Sequence, residues 1–319
     1  MTGAVRTVFL GTGAFAVPIL AAVADQPTVD LLAVVTAPQR AGSRGRLTDP
    51  PIAAWAQEHG LPVLRPDRLR APDAIAQVVE LQPELLVLAD YGQIVPKSLL
   101  DVPPRGALNV HPSLLPRHRG ATPIPAAILA GDDETGVTLM RMDAGLDSGP
   151  VVAQSRVALS GSETAPKLED ELASLGARLL VATLPRWLAG DITPQAQDER
   201  NATMTKPLRR EDGRLDPSKS AAELERQVRA YQPWPGSFID AATGRLVVWA
   251  AHPGRARPHT VQVGALIAMP DGGLAVAASD ALLILDEVQP QGGRRSCSSS
   301  PTTARSCPSH CSMCRRAAP

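Results

Sequence analysis

The chain has 319 residues, 44% of them hydrophobic and 3% aromatic, with 32 Lys plus Arg against 32 Asp plus Glu. That length suits a large domain followed by a smaller one, and the even charge excludes a global field of the kind that gathers nucleic acid, so any RNA contact has to be local. No stretch approaches the ~20 uncharged apolar residues that span a bilayer, and the N-terminus lacks a basic region followed by an apolar run, so a cytoplasmic protein without a membrane partner is expected.

Arg6 to Leu10 reads as an apolar strand running into GTGAFAVPIL, where Gly11 and Gly13 permit a tight turn before a helix, the start of a βαβ unit. A dinucleotide site would need an acid at the tip of the second strand, Asp30 to Thr36. That strand ends in Val-Val-Thr with its acid at the other end, which disfavours NAD. TAPQRAGSRGRLTDPP follows, too rich in Gly, Pro and Arg for an element interior. Its Arg40, Arg44 and Arg46 suit either a solvated surface loop or a flexible basic finger that grips phosphates. Ile52 to His59 and Pro72 to Leu81 have helical periodicity, and Glu84 to Ala89 reads as a buried parallel strand. Asp90, Tyr91, Gly92 and Gln93 stand at that strand's carboxyl end, where open α/β sheets bind ligands.

GALNVHPSLLPRHRG, Gly106 to Gly120, is the stretch around which the rest is organised. Ala107 to Val110 is β-prone and Pro112 stops it. Residues two apart in a strand share a face, so Asn109 and His111 project together from its end. Gly136 to Met142 reads as another strand, and the acid-bearing loop MDAGLDSGP after it supplies Asp147 as a third member. Asn, His and Asp fit acyl transfer to an amine: donors for an oxyanion, and a base for the amine's proton. From spacing alone, the same residues also fit a pair that only satisfies a turn.

SLLPRHRGATPI is a loop whose backbone can line a groove, with Arg117 and Arg119 either holding an anion or lying at the surface. Helix 122 to 130 and strands 137 to 142 and 151 to 158 complete the sheet. Gly161 to Gly190 contains a long helix with Leu168, Leu172, Leu175, Leu179 and Leu180 as a core stripe. Asp191 to Pro207 is polar and aperiodic, a linker by composition. Beyond it come one helix, Ala221 to Ala230, and short strands at Arg245 to Ala250, Thr260 to Ile267, Gly273 to Ala278 and Ala281 to Asp286, the spacing of a small barrel. All four cysteines, Cys297, Cys307, Cys311 and Cys314, fall in a Ser-, Pro- and Arg-rich tail without hydrophobic period. A disulfide scaffold for the body is thus excluded, the Cys and His spacings match no paired zinc knuckle, and disorder over 291–319 is expected.

NVHPSLLPRHRGATPI followed by GDDETGVTLMRMDAGLDSGPVV resembles the core of the 10-formyltetrahydrofolate-dependent formyltransferases, most closely those acting on tRNA. The resemblance runs from about Val5 to about Pro290. It implies a Rossmann-like, mostly parallel catalytic domain (1–190), a linker (191–207) and an OB-like β-barrel domain that helps hold tRNA (208–290). It also implies Asn109, His111 and Asp147 as the catalytic set, with protonated His111 and Asn109 on the oxyanion. Tyr91, Gly92, Ser113, Leu114, Leu115 and Pro116 would form the folate site, and Arg40, Arg44 and Arg46 a loop entering the tRNA acceptor arm. The implied reaction is formyl transfer from 10-formyltetrahydrofolate to methionyl initiator tRNA, by a monomer with no metal. Asp90 and His118 depart from the family pattern. Transfer to an amino-sugar or nucleotide amine is the alternative within enzymes, and a non-catalytic folate- or nucleotide-binding Rossmann protein the alternative outside them.

Overall fold

The computed structural model describes residues 3–41, 47–241, 244–270 and 272–298. Two compact units emerge. One comprises the chain up to Pro123 with Glu134–Leu159 and Leu168–Lys206, and the other comprises Ile124–Asp133, Ser160–Lys167 and the chain from Pro207 on.

In the first unit, β1 (Val5–Gly11), α1 (Ala16–Ala24) and β2 (Val29–Val35) form the opening βαβ unit. A two-residue ribbon, β3 (Arg40–Ala41) and β4 (Leu47–Thr48), precedes α2 (Pro51–Glu58), β5 (Val63–Leu64), α3 (Pro72–Glu80) and β6 (Leu85–Ala89). Next along the chain come α4 (Lys97–Leu100), β7 (Ala107–His111), β8 (Arg119–Gly120), α5 (Pro123–Ala130, counted with the second unit from Ile124 on), β9 (Glu134–Arg141), β10 (Val151–Ala158), α6 (Ala165–Ala189, in the first unit from Leu168 on) and β11 (Met204–Thr205). Seven strands make one sheet in the order β10-β9-β7-β6-β1-β2-β5, parallel from β7 to β5 and antiparallel at β9 and β10. The sequence-derived expectation of an α/β fold with a mostly parallel sheet holds. All of β6 is buried, as its unbroken Leu-Leu-Val-Leu-Ala run requires of a central strand covered on both faces.

Because β6 lies between β1 and β7, with Leu88 in register with both Leu10 and Asn109, three chain segments leave the sheet at adjacent carboxyl ends. They are the Gly-Thr-Gly turn, Asp90 to Gln93, and the Asn109 to His111 corner. The Gly-Thr-Gly turn has its own occupant. A Cβ on Gly13 would lie 1.8 Å from Asp90 Oδ2, so the glycine is needed for the Asp90 carboxyl to approach the turn and accept from the Gly13 N–H.

The second unit is built on α7 (Ala221–Ala230), whose Ser220 and Glu223 form a reciprocal N-terminal cap. Leu224 and Val228 of α7 pack with Leu246, Val248, Leu283, Leu285 and Val288 of an antiparallel sheet. Its strands are β12 (Ser237–Ala241), β13 (Gly244–Ala256), β14 (Leu266–Ala268), β15 (Leu274–Ala277), β16 (Ala281–Pro290) and β17 (Ser296–Cys297). The expected strand Thr260 to Ile267 is found only as β14, Leu266–Ala268. Over 258–263 the backbone instead turns locally, with Val261 N–H to Pro258 O and Ala265 N–H to Gln262 O, and it reaches β15 only at Gly264 and Ala265, through Gly264 N–H to Ala277 O and Ala277 N–H to Ala265 O. At the other end, Ser296 and Cys297 pair with Val288 and Glu287, so the start of the Ser- and Arg-rich tail is an edge strand. Cys307, His310, Cys311 and Cys314 lie outside the described residues, and no group of His, Cys, Asp or Glu able to hold a metal occurs among the described ones. Among the described residues, no helix is long and apolar enough to cross a membrane.

Candidate active site

The period of two in β7 does what the sequence suggested: Asn109 and His111 share a face at the strand's carboxyl end, Asn109 half-buried and His111 buried. Asn109 pairs in register with Met140 and His111 with Thr138, which fixes both backbones. The Asn109 carboxamide has no hydrogen-bond partner among the described residues, which leaves its N–H groups available. His111 Nε2 lies 3.0 Å from the backbone oxygen of His118. A carbonyl only accepts, so Nε2 carries the proton and, in the neutral ring, Nδ1 carries the lone pair.

That lone pair faces Asp147 Oδ2 at 3.7 Å. Two acceptors facing each other at that separation are too far apart for a hydrogen bond, and they close only on a proton placed between them. Burial holds the His111 imidazole below its ordinary value, opposed by the Asp147 charge and the His118 carbonyl. His111 is therefore neutral near pH 7, in contrast to the protonated form expected from sequence, because the cost of desolvating an imidazolium outweighs one carboxylate.

Asp147 takes a left-handed backbone, φ +50°, uncommon for a residue with a side chain. Its Oδ2 accepts from Gly120 N–H at 2.8 Å. Gly120 is itself held by β8, which pairs in parallel with β11 through Arg119 with Met204 and Gly120 with Thr205. Thr203 Oγ1 accepts from His118 N–H, and Thr205 Oγ1 donates to Arg119 O and accepts from Thr122 N–H. Of the stretch 191–207 that composition reads as a linker, residues 191–206 are thus bonded into the first unit, beginning with the backbone pair Val151 and Gln195.

Arg119, open at the sequence level between anion site and surface charge, is only 5% exposed. Its guanidinium donates to Gln197 Oε1 from Nε (3.0 Å) and Nη2 (2.8 Å), and to Glu199 from Nη1 (2.9 Å) and Nη2 (2.8 Å). All its donating nitrogens are committed within the protein. Neither Gln197 nor Glu199 was singled out from sequence. They lie in a polar, aperiodic stretch whose only local signal is the Gln-Asp-Glu cluster.

The residues the resemblance assigned to folate divide into two sets. Ser113 and Leu115 are buried. Ser113 Oγ donates to Arg117 O, while Thr138 Oγ1 donates to Ser113 O and accepts from Leu115 N–H. Gln154 Nε2 completes this small network by donating to Leu115 O and Thr138 Oγ1. Leu114 and Pro116 are half-buried. At the end of β6, Tyr91 is buried with its hydroxyl unpartnered, Gly92 is exposed at φ +74°, and Ile94 is 80% exposed. Of the three loop arginines, Arg40 begins β3, while Arg44 and Arg46 lie outside the described residues.

The formyl transferase family profile matches residues 5–184, and the profile of the formyl transferase C-terminal domain matches residues 207–302. Among curated relatives, the methionyl-tRNA formyltransferase of Halorhodospira halophila is 46% identical over 292 residues, covering 91% of this chain and 93% of that one. That of Myxococcus xanthus is 42% identical over 290 residues, covering 91% of each. Solved structures share the fold at low identity. An N-formyltransferase from Helicobacter canadensis in complex with folinic acid and dTDP-3-aminofucose superposes with TM-score 0.64 at 16% identity, covering 88% of this chain and 98% of that one. HypX from Aquifex aeolicus in complex with tetrahydrofolic acid does so with TM-score 0.63 at 16% identity, covering 92% of this chain and 46% of that one.

Proposed function

The chain belongs to the formyl transferase family, and we propose that it transfers the formyl group of 10-formyltetrahydrofolate to the α-amino group of methionine esterified to initiator tRNA. The observation that carries this is the end of β7, where an unpartnered Asn109 carboxamide stands beside a neutral His111 whose lone pair looks at a carboxylate 3.7 Å away. That set has a donor for a developing oxyanion and a receiver for a proton, and no nucleophile of its own, as direct transfer between two bound substrates requires.

In the reaction the amine nitrogen attacks the formyl carbon, and Asn109 donates to the oxygen as it becomes negative. The ammonium proton passes into the space between His111 Nδ1 and Asp147, directly or through water. The bond from the formyl carbon to the folate nitrogen then breaks, and that nitrogen takes up a proton. Tyr91 and Gly92 with residues 113–116 form the folate side, and Arg40, Arg44 and Arg46 contact the acceptor arm. The product is used in translation initiation, which puts the enzyme in the cytoplasm, where it acts as a monomer.

Relatives named for methionyl-tRNA, matching over about nine-tenths of the chain, favour this acceptor over the sugar amines of structural neighbours at 16% identity. The test is transfer of labelled formyl to methionine-charged initiator tRNA, with free methionine and a dTDP-amino sugar alongside. Product on the charged tRNA alone is expected, and product on the amino sugar instead overturns the assignment. For the loop, Arg44→Ala should raise KM for the charged tRNA several-fold and leave KM for the folate unchanged. Identical tRNA titrations would remove the loop from the substrate site.

A further inference from the structure

Asp147 is held from behind by a side chain that touches neither substrate in the reading above. Gln197 Nε2 donates to the backbone oxygens of Asp147 (2.8 Å) and Gly149 (2.7 Å), while its Oε1 accepts twice from Arg119. The amide can take only one orientation. Turned over, it would set its N–H groups against a guanidinium that only donates and its oxygen against two carbonyls that only accept. Arg119 is fixed in turn by its two-pronged bond to Glu199. Nor can the loop slide, because a Cβ on Gly149 would lie 1.9 Å from the backbone oxygen of Arg141, so Gly149 is pressed against the end of β9. The left-handed Asp147 is thereby gripped at its carbonyl by Gln197 and at its carboxylate by Gly120, the neighbour of Arg119 in β8.

We propose that Gln197 is a positioning residue for formyl transfer: through its amide it sets the distance between the Asp147 carboxylate and His111 Nδ1, with Arg119 and Glu199 holding the amide in orientation. The inference rests on Asp147 and His111 being the proton-handling pair. It assigns a role to a segment that composition reads as a linker. The groups facing His111 are Asp147 and His118, so a displaced Asp147 has a readable consequence. It removes the one charge that raises the imidazole, the His111 pKa falls further, and the acid limb of the kcat profile moves to lower pH.

Three variants test this with full-length enzyme, charged initiator tRNA and 10-formyltetrahydrofolate. Gln197→Leu keeps the bulk and loses both sets of bonds. It should lower kcat about tenfold to a hundredfold, as loss of alignment does, with KM for the folate unchanged and the acid limb displaced to lower pH. Gln197→Glu retains the acceptor for Arg119 and turns a carboxylate on the two carbonyls. The protein should still fold, since the pairing with Arg119 is kept, and kcat should fall as it does in Gln197→Leu. Asp147→Asn separates the two levels: if it retains activity, the catalytic reading itself fails. If Asp147→Asn is inactive while Gln197→Leu keeps the parental kcat and pH profile, or loses only melting temperature, the positioning role is overturned.

Discussion

At the end of β7, the Asn109 carboxamide is left without a partner among the described residues and His111 with a lone pair facing a carboxylate, whereas in the second unit Glu287, 2% exposed, is answered at once. Arg295 Nη2 donates to Glu287 Oε2 at 2.6 Å, and the same guanidinium lies over the Trp249 ring, 4.7 Å from its centroid. Both regions bury polar groups at a cost, and they use them differently. The first leaves hydrogen-bonding capacity open toward a substrate. The second turns it inward, into an ion pair that fastens β17 and the residues before it to β16. A buried polar group is thus evidence of a reaction site only where a donor or lone pair stays unspent.

Substitutions on each side sharpen this contrast. Asn109→Ala should show the largest effect, a loss of roughly 2.7 to 4 kcal/mol of barrier stabilisation seen as a hundredfold to thousandfold lower kcat. Its melting temperature should stay unchanged, since the carboxamide has no hydrogen-bond partner among the described residues. A fall in stability with kcat intact would reverse the contrast. Arg295→Ala should do the opposite, destabilising the second unit by about 3 kcal/mol because it strands a buried carboxylate. Denaturant titration monitored by tryptophan fluorescence reads this, and unchanged unfolding would mean that the pair is solvated.

The smallest effect is expected at Asp90, which shares features of both regions. Its carboxyl is pushed up to about 6, first by burial and then by the charge of Glu169, against an N–H from Gly13. A folded-state value above the unfolded 3.8 means that this group's contribution to stability is fully present below about pH 4 and is lost as pH rises through 6. Asp90→Asn should therefore melt slightly above the parent at pH 7.5 and level with it at pH 4. The residue is exposed over part of its surface, so solvent screening keeps the difference small. Equal melting curves at both pH values would show that the carboxyl titrates as a free one.

Much of the fold was legible from local pattern. The unbroken apolar run of β6, the alternation in β7 and the Leu stripe of α6 each carry their period in a short window. Asn109 and His111 were legible for the same reason, since a spacing of two in a strand that Pro112 ends points both outward. Asp147 was legible as the acid of the Gly-rich loop after the next strand, but its separation from His111 was not, because nothing local fixes how an acid in such a loop meets a histidine 36 positions earlier. The expected strand Thr260 to Ile267 is found only over Leu266–Ala268 because Pro258 and Gly264 turn the backbone before it, and the edge strand Ser296–Cys297 was hidden by a composition that mimics disorder.

The sequence by itself determined which groups the site holds: an amide and an imidazole sharing one strand face, an acid in a glycine loop, and the order of helices and strands that delivers them to adjacent strand ends. Only the tertiary structure decided their states. His111 is neutral because the packing around it excludes water, and its tautomer follows from a carbonyl seven residues away. Gln197 matters because two segments some 50 residues apart in the chain meet at 2.8 Å. Such facts depend on through-space distance and on desolvation, and neither has a signature in the spacing of residues along the chain.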